Sequence, residues 1–246
     1  MNKTSQKFSL VIPTYNEAEN IQELVNILTS TLSGKVDFEI IIVDDDSPDL
    51  TWEFARRISE NDRRVKVIRR TAKKGLATAV IYGWKAAQGD ILGVMDGDLQ
   101  QPPGVIPLLL ERLGEDRSVD IVIASRNIKG GAVSGRSIWR TLVSGVGAFI
   151  CKLLLPGKLG KVSDPMSGFF VLRKEVIDKK DLSPWGYKIL LEVLVKGEYR
   201  GIAEVPYAFS VRSKGYSKAG IKQYLISFFY LLKLSLQSRM GLKSLR

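Results

Sequence analysis

The chain has 246 residues, of which 45% are hydrophobic and 26% charged, so a large folded domain is expected and wholesale disorder is excluded. It contains no histidine, which excludes an imidazole base and an imidazole metal ligand, and its single cysteine excludes an internal disulfide and indicates a reducing compartment. The net charge of +11 predicts a polyanionic partner, namely nucleic acid, an anionic membrane surface or a phosphorylated ligand.

The first half of the chain alternates between predicted strands and helices. A strand over 8–12 is ended by Pro13, and the spacing of apolar residues predicts a helix over 17–32 with Asn16 as its N-cap. A second strand is predicted after residue 37, and its apolar run at 40–43 is continuous, as is typical of a strand buried on both faces. Further helices are predicted over 51–61, 75–87 and 103–115, and further strands over 65–70, 89–100 and 120–126. This alternation predicts an α/β fold with a mostly parallel central sheet, in which ligands bind beyond the carboxyl ends of the strands.

The second half changes character after a glycine-rich segment. An amphipathic run at 138–155 and the tail at 221–246 combine apolar residues with lysine and arginine, so both are predicted as interfacial helices at the level of membrane headgroups. Core helices are the alternative, and for 138–155 this alternative is equally open. We therefore expect a catalytic domain over 1–220 and a membrane-associated tail over 221–246. Between them, a strand is predicted within 157–176, a helix over 186–199, a strand over 201–212 and a basic loop over 213–220.

Two carboxylates stand at the end of the fourth predicted strand. Asp96 and Asp98 flank Gly97, which lets the chain bend so that both side chains converge. Ligation by oxygen alone suits Mg²⁺ or Mn²⁺, which in turn hold a diphosphate, and Gln100 can add an amide oxygen. A solvated turn is the alternative, because acidic residues and glycine favour turns. The second acidic strand end, the basic loop and the missing histidine favour the metal site.

That second acidic strand end, at 44–49, has two interpretations. Asp44 or Asp45 accepts hydrogen bonds from a nucleobase or ribose, or the segment forms an Asx-turn that begins the next helix, with Asp49 or Ser47 as its cap. Both can hold at once. Because both acidic segments follow parallel strands, we expect them to line one crevice.

Resemblance to a known family rests on quoted segments of both halves. The first half resembles the family-2 glycosyltransferases, inverting enzymes of the GT-A type that use nucleotide sugars, through VIPTYNEAENI, IIVDDDSPD, KKGLATAVIYGWKAAQGD and MDGDLQQPP. The second half resembles the dolichol-phosphate mannose synthases through DPMSGFFVLRKEV, GYKILLEVLVKG and EVPYAFSVRSKGYSKAG. The resemblance spans residues 8–220 and implies a single Rossmann-like GT-A domain.

The resemblance also implies roles for individual residues. Asp96, Asp98 and Gln100 match the metal-binding motif, and Arg212 and Lys218 match a loop that closes over the donor diphosphate. The segments that bind the nucleotide sugar match at Pro13, Tyr15, Glu17, Val43, Asp44, Asp45 and Gly97, beside the two aspartates of the metal motif.

The acceptor side is implied in the same way. Arg126, Arg140 and Ser144 match the positions that hold the phosphate of a lipid, and the catalytic group comprises Asp98, Arg126, Arg140 and Arg212. Asp46 departs from the family, which often has asparagine or glycine at this position. The departure affects the expected contact to the nucleobase of the donor and not the assignment to the family.

The implied reaction is the transfer of a hexose, with inversion, to dolichyl or another polyprenyl phosphate. The expected donor is GDP-mannose and the expected sugar is mannose. Such a phosphate is already an oxyanion at neutral pH, since its second pKa lies at about 6, so the missing histidine is not needed as a base. A lipid acceptor predicts association with a membrane surface, expected at the cytoplasmic face. The alternatives are a transferase that moves a UDP-sugar to a bacterial polyprenyl phosphate and, more remotely, a nucleic-acid-binding domain.

Overall fold

A computed structural model of the chain describes residues 6–72, 74–133, 150, 153–210, 226 and 229–236. Its strands are β1 Phe8–Thr14, β2 Phe38–Asp44, β3 Val65–Arg69, β4 Ile91–Val94, β5 Ile121–Ser125, β6 Ala132–Val133, β7 Phe170–Arg173, β8 Ile202–Pro206 and β9 Ala208–Phe209. Its helices are α1 Ala18–Leu32, α2 Thr51–Asn61, α3 Leu76–Ala86, α4 Ile106–Glu115, α5 Pro156–Leu159 and α6 Ile189–Lys196, with 3₁₀ turns at Pro103–Val105 and Lys174–Ile177.

The predicted α/β architecture is confirmed. Seven strands form one sheet in the order β3-β2-β1-β4-β7-β5-β8, and all neighbours are parallel except β7, which runs antiparallel to β4 and β5. Strands β6 and β9 form a separate parallel pair. Buried residues alternate along the central strands, so that Val11 packs under α3 and α6 while Leu10 packs under α1, α2 and α4. The sheet is therefore covered by helices on both faces.

The prediction that Pro13 ends the first strand is wrong, because β1 continues to Thr14. Successive residues of a strand direct their backbone groups to opposite neighbours, and the carbonyl of Val11 bonds Met95 on the β4 side while that of Thr14 bonds Asp45 on the β2 side. The nitrogen of Pro13 thus faces the β4 side, where the pairing of β4 with β1 has already ended at Val11. A proline here removes no hydrogen bond from the sheet.

The prediction of Asn16 as N-cap is also wrong. Asn16 has a φ of 56°, in the left-handed region that asparagine tolerates, whereas an N-cap residue is extended. The N-cap is Glu17, and its side chain makes no capping bond. The neighbouring loop supplies the caps instead, since Thr51 Oγ1 accepts the N–H of Glu17 at 2.9 Å and Asp49 Oδ2 accepts that of Ala18 at 3.0 Å. Side chains that follow β2 thereby hold the start of α1.

The helical segment at 229–236 packs partly into the core. Tyr230, Leu231 and Leu234 are buried among the residues under α3 and α6. Phe229 and Leu236 are exposed, so the core-helix alternative holds for one side of this segment. Among the described residues, no helix combines the length and the apolar composition that a membrane crossing requires. The boundary predicted at residue 220 stays a prediction, since it lies outside the described residues.

Candidate functional site

The acidic segments meet at one edge of the sheet, as expected. Thr14, the last residue of β1, donates its hydroxyl to Asp44 Oδ2 at 2.8 Å. On its other side, a Cβ added to Gly97 would lie 3.2 Å from Thr14 Cγ2 and 3.5 Å from Glu17 Cγ, so glycine lets the loop after β4 come close. The ends of β2, β1 and β4 thus lie side by side at one edge of the sheet.

Asp44 shapes the turn after β2. Its Oδ1 accepts the N–H of Ser47 at 2.8 Å, and its Oδ2 accepts the Ser47 hydroxyl at 2.6 Å and the Thr14 hydroxyl. The side chain is completely buried, and both oxygens are in use. Asp44 thus holds the turn after β2, but the predicted cap of the next helix is wrong. The N-cap of α2 is Leu50 and not Asp49 or Ser47, although Asp49 Oδ1 accepts the N–H of Thr51 at 3.0 Å. A contact of Asp44 to a nucleotide stays a prediction.

Asp45 is held by an arginine that the sequence did not point to. Oδ1 of Asp45 accepts from Nε of Arg70 at 2.7 Å and pairs with its Nη2, while Oδ2 accepts the N–H of Gly75 at 2.6 Å. Arg70 also donates to the Gly75 carbonyl at 3.0 Å and to Thr78 Oγ1 at 3.1 Å. This buried cluster fixes the segment before α3 against the end of β2. Asp46 instead faces outward and pairs with Arg69 at 2.6 Å.

The other residues matched to the nucleotide sugar lie at the same edge of the sheet. Pro13 and Val43 are paired in register within β1 and β2 and are buried. Glu17 is also buried and accepts the side-chain amide of Asn20 at 2.8 Å. Tyr15 is 41% exposed, and its contact with a nucleotide sugar stays a prediction.

The pair Asp96 and Asp98 lies in the loop after β4, which ends at Val94. Asp96 Oδ2 accepts the side-chain amide of Gln101 at 2.6 Å, and Gln101 Oε1 accepts the N–H of Asp96 at 2.9 Å. Burial and then the charge of Asp98 raise the pKa of Asp96 to about 7, against the opposing charges of Lys188 and Arg126. An uncompensated negative charge is therefore costly at this position, and a cation would relieve it.

The donor set suits a divalent cation. A Cβ added to Gly168, at the start of β7, would lie 3.3 Å from Asp96 Oδ2, so glycine keeps the space beside this carboxylate open. Within the described residues, no three acidic, cysteine or histidine side chains cluster as metal ligands. Two carboxylates are the number with which proteins usually hold Mg²⁺ beside substrate phosphates.

Gln100 makes a different contact from the one predicted for it. Its side-chain nitrogen donates to the carbonyl of Ser210 at 3.0 Å, and the N–H of Ser210 donates to the carbonyl of Gln100 at 2.9 Å. Its backbone N–H donates to Asp98 Oδ1 at 3.1 Å. Gln100 thus joins the loop after β4 to the residue that follows β9, and its part as a metal ligand stays a prediction.

Arg126 follows β5 and forms a buried ion pair with Asp164. Nε donates to Asp164 Oδ2 at 2.7 Å and Nη2 donates to Oδ1 at 2.8 Å, and the two side chains are 10% and 3% exposed. Burial alone would lower the pKa of Arg126, but the hydrogen bond and charge of Asp164 outweigh it and raise this pKa. The charge of Arg126 also lowers the pKa of Asp96, so it acts on the carboxylate pair.

The antiparallel strand β7 brings Asp164 and Gly168 to the site. Because β7 begins where β4 and β5 end, the loop before it lies over their carboxyl ends. Lys188 Nζ donates to the Met166 carbonyl in this loop at 2.9 Å. The structure adds six residues to the site for which no role was predicted, namely Arg70, Gly75, Gln101, Asp164, Gly168 and Lys188.

Four predicted site residues cannot be placed. Arg140, Ser144, Arg212 and Lys218 lie outside the described residues, and their roles stay predictions. Most of the two amphipathic runs lies outside them as well.

Comparisons with known proteins identify relatives in archaea and fungi. A dolichol-phosphate mannosyltransferase of Pyrococcus furiosus is 47% identical over 230 residues, which cover 92% of this chain and 64% of that protein. One of Saccharomyces cerevisiae is 34% identical over 235 residues, which cover 90% of this chain and 85% of that protein. The chain thus spans less than two thirds of the length of the archaeal relative.

Solved structures and family assignment complete the comparison. The glucosyl-3-phosphoglycerate synthase of Mycobacterium tuberculosis, solved with Mn²⁺, UDP and glucosyl-3-phosphoglycerate, superimposes with a TM-score of 0.72 at 22% identity, covering 96% of this chain and 81% of that one. This likeness shows that the fold is of the GT-A type. Residues 9–180 match Glycosyl transferase family 2, and the chain therefore belongs to this family of glycosyltransferases.

Proposed function

We propose that this protein transfers mannose from GDP-mannose to dolichyl or another polyprenyl phosphate, with inversion at the anomeric carbon. Archaeal and fungal relatives that share the name dolichol-phosphate mannosyltransferase support the donor and the acceptor. The observation that carries the proposal is the pair of Asp96, which is partly buried, and Asp98, which is buried, at the same end of the sheet as Arg126. The two carboxylates suit a metal ion that holds a diphosphate, and the guanidinium suits a phosphate.

The chemistry needs placement more than proton transfer. The acceptor phosphate is already ionised at neutral pH, so one of its oxygens can attack the anomeric carbon without a base. The bond from that carbon to the nucleoside diphosphate breaks, and the diphosphate is the leaving group. Asp96 and Asp98 would hold Mg²⁺ or Mn²⁺, which supplies positive charge for the leaving diphosphate. Gln101 fixes Asp96 at two points, since its side-chain nitrogen donates to Asp96 Oδ2 at 2.6 Å and its Oε1 accepts the backbone N–H of Asp96 at 2.9 Å.

Arg126 is the described residue that best suits the acceptor phosphate. Its pair with Asp164 uses one N–H of Nε and one of Nη2, and leaves both hydrogens of Nη1 and the second of Nη2. A guanidinium whose plane is fixed in this way presents a preset donor pattern to a phosphate. Arg140 and Ser144 on the acceptor side, and Arg212 and Lys218 over the diphosphate, complete the proposed site by resemblance.

A donor assay tests this function. The protein is incubated with a polyprenyl phosphate, Mg²⁺ or Mn²⁺, and either radiolabelled GDP-mannose or radiolabelled UDP-glucose. Labelled glycolipid is expected from GDP-mannose at low donor concentration, and EDTA is expected to abolish it. Product from UDP-glucose alone supports the second enzyme function, and salt-dependent binding of nucleic acid without any product supports the binding domain.

Arg70 is expected to control donor affinity. Arg70→Ala removes the partner of Asp45 and frees the segment before α3, so the KM for GDP-mannose should rise about tenfold or more while the KM for the lipid stays nearly constant. Steady-state kinetics in both substrates measure this difference. Arg57→Ala, which breaks an exposed pair with Glu53, is the matched control and should change neither KM. An equal rise of both constants in Arg70→Ala would contradict a role on the donor side.

We also propose that the protein binds a membrane through one exposed surface. Leu153, Trp185, Phe229 and Leu236 are between 48% and 65% exposed. The segments that carry them are in contact, because Ser235 Oγ donates to the Leu154 carbonyl at 2.9 Å and the ring of Trp185 lies 6.1 Å from that of Tyr230. These four side chains form the aromatic surface.

A lysine next to this surface supports a position at the membrane–water interface. Lys233 Nζ lies 4.1 Å from the centre of the Trp185 ring, and aromatic rings beside cationic side chains are typical of the headgroup level of a bilayer. The chain's net charge of +11 suits anionic headgroups. That this surface faces the cytoplasm stays a prediction.

Vesicle binding tests the aromatic surface. Trp185→Ala and Leu236→Ala should each weaken binding to vesicles that contain anionic lipid by about tenfold, the effect of exposing one large apolar side chain. Leu108→Ala on α4, a residue of 49% exposure, is the matched control and should bind as the wild type does. Co-sedimentation at fixed salt measures all three variants. Losses of the same size in Leu108→Ala would remove this surface from the membrane contact.

A further inference from the structure

We propose that Glu204, in the middle of β8, is a positioning residue that sets Arg126 for the acceptor phosphate. Glu204 belongs to the EVP segment that supports the family resemblance, and no role has been assigned to it above. The proposal rests on the proposed function for the identity of the acceptor, and on the contacts of Glu204 for the rest.

The carboxylate of Glu204 holds two successive backbone groups. Oε2 accepts the N–H of Ser163 at 2.9 Å, and Oε1 accepts the N–H of Asp164 at 3.1 Å. Each oxygen has its own donor, and hydrogen bonds to an ionised acceptor are stronger than neutral ones. The loop before β7 is thus fixed at the residue that binds Arg126.

The next link is the ion pair itself. Asp164 accepts from Nε and Nη2 of Arg126 and also from its backbone N–H at 3.2 Å. The side chain of Asn127 donates to the Ser163 carbonyl at 3.0 Å. Any movement of the loop therefore turns the plane of the guanidinium, and with it the N–H groups that Asp164 does not use.

Glu204 is held in place by the sheet, because it lies within a strand. In the register of β5 with β8, Glu204 pairs with Ile123, three residues before Arg126. The carboxylate is therefore attached to the same strands that carry Arg126, whereas the loop it holds is 38 residues away from Arg126 in sequence. Glu204 thus ties the loop before β7 to β8, a strand that does not pair with β7.

Glu204→Gln separates this role from a general effect on folding. Glutamine has the same shape but a single acceptor oxygen, so one of the two N–H groups would face its amide nitrogen. We expect the KM for geranylgeranyl monophosphate to rise about tenfold, the effect of losing one hydrogen bond to a charged group, while the KM for the donor changes less than about twofold. Glu198→Gln makes the same change at a side chain of 80% exposure and should alter neither constant.

A double-mutant cycle tests whether Glu204 acts through Asp164. If it does, Glu204→Gln combined with Asp164→Asn should raise the acceptor KM no further than the larger single effect, whereas independent effects would multiply. Thermal unfolding of each variant checks that the fold survives. Multiplying effects, or an equal rise of both KM values in Glu204→Gln, would overturn the proposal.

Two measurements do not depend on turnover. Amide hydrogen exchange should be faster at 163–164 in Glu204→Gln than in the wild type, and calorimetry should show weaker binding of geranylgeranyl monophosphate. A wild type that binds this lipid but makes no product overturns the proposed function alone. Unchanged exchange or unchanged lipid affinity in the variant overturns the positioning role alone, and a wild type that does not bind the lipid overturns both.

Discussion

Asp98→Ala is expected to lower mannose transfer by about 100-fold or more while the fold survives, because one remaining carboxylate cannot hold the cation that the diphosphate needs. The local structure has little reason to collapse. Asp96 keeps both of its bonds to Gln101, and the bond from Gln100 to Asp98 is confined to the same loop. Removing Asp98 also removes a charge that raises the pKa of Asp96.

Stability measurements separate loss of metal from loss of fold. Without metal, Asp98→Ala should unfold at the wild-type temperature or above it, since like-charge repulsion is relieved. Added Mn²⁺ should raise the unfolding temperature of the wild type and have no such effect on the variant. Asp90→Ala, at an exposed position before β4, should respond to Mn²⁺ as the wild type does. Full activity of Asp98→Ala in Mn²⁺ would remove Asp98 from the metal site.

Asp164→Ala should lower the free energy of unfolding by about 3–5 kcal/mol, because it leaves the buried guanidinium of Arg126 without its partner. Both side chains are almost fully buried, so water cannot replace the lost carboxylate. The double variant Asp164→Ala with Arg126→Leu should recover part of this loss, since no unpaired charge remains. Denaturation in urea measures all three proteins.

An exposed pair provides the comparison for this prediction. Glu60→Ala breaks a 3.0 Å pair with Arg56 whose side chains are both 57% exposed, and it should cost at most about 1 kcal/mol. If Asp164→Ala lowers the free energy of unfolding no more than Glu60→Ala does, the buried pair of Asp164 with Arg126 does not stabilise the fold as its burial predicts.

Local patterns were sufficient to predict the architecture. Helix α2 is at its predicted residues 51–61, and the apolar run at 40–43 lies within β2. The carboxyl ends of parallel strands also placed Asp44 and Asp96 at one edge of the sheet. These features depend on residues that are close in sequence or on a rule of sheet topology.

Predictions failed where the local structure depends on residues that are distant in sequence. Pro13 is tolerated within β1 only because the pairing with β4 stops at Val11, and the short pattern around Pro13 does not contain that information. Asp164 meets Arg126 because β7 inserts antiparallel between β4 and β5, a reversal that the regular alternation of the first half did not indicate. Gln101 rather than Gln100 contacts Asp96, since the choice depends on the course of the loop.

The inserted strand also determines the scale of the site. Because β7 lies between β4 and β5, the loop with Asp96 and the end of β5 with Arg126 are separated by two strand-to-strand intervals, about 10 Å. This separation is set by backbone pairing within the sheet and not by any side chain. Substitutions around the site should therefore change which groups a ligand meets but leave the spacing of the two charged groups nearly unchanged.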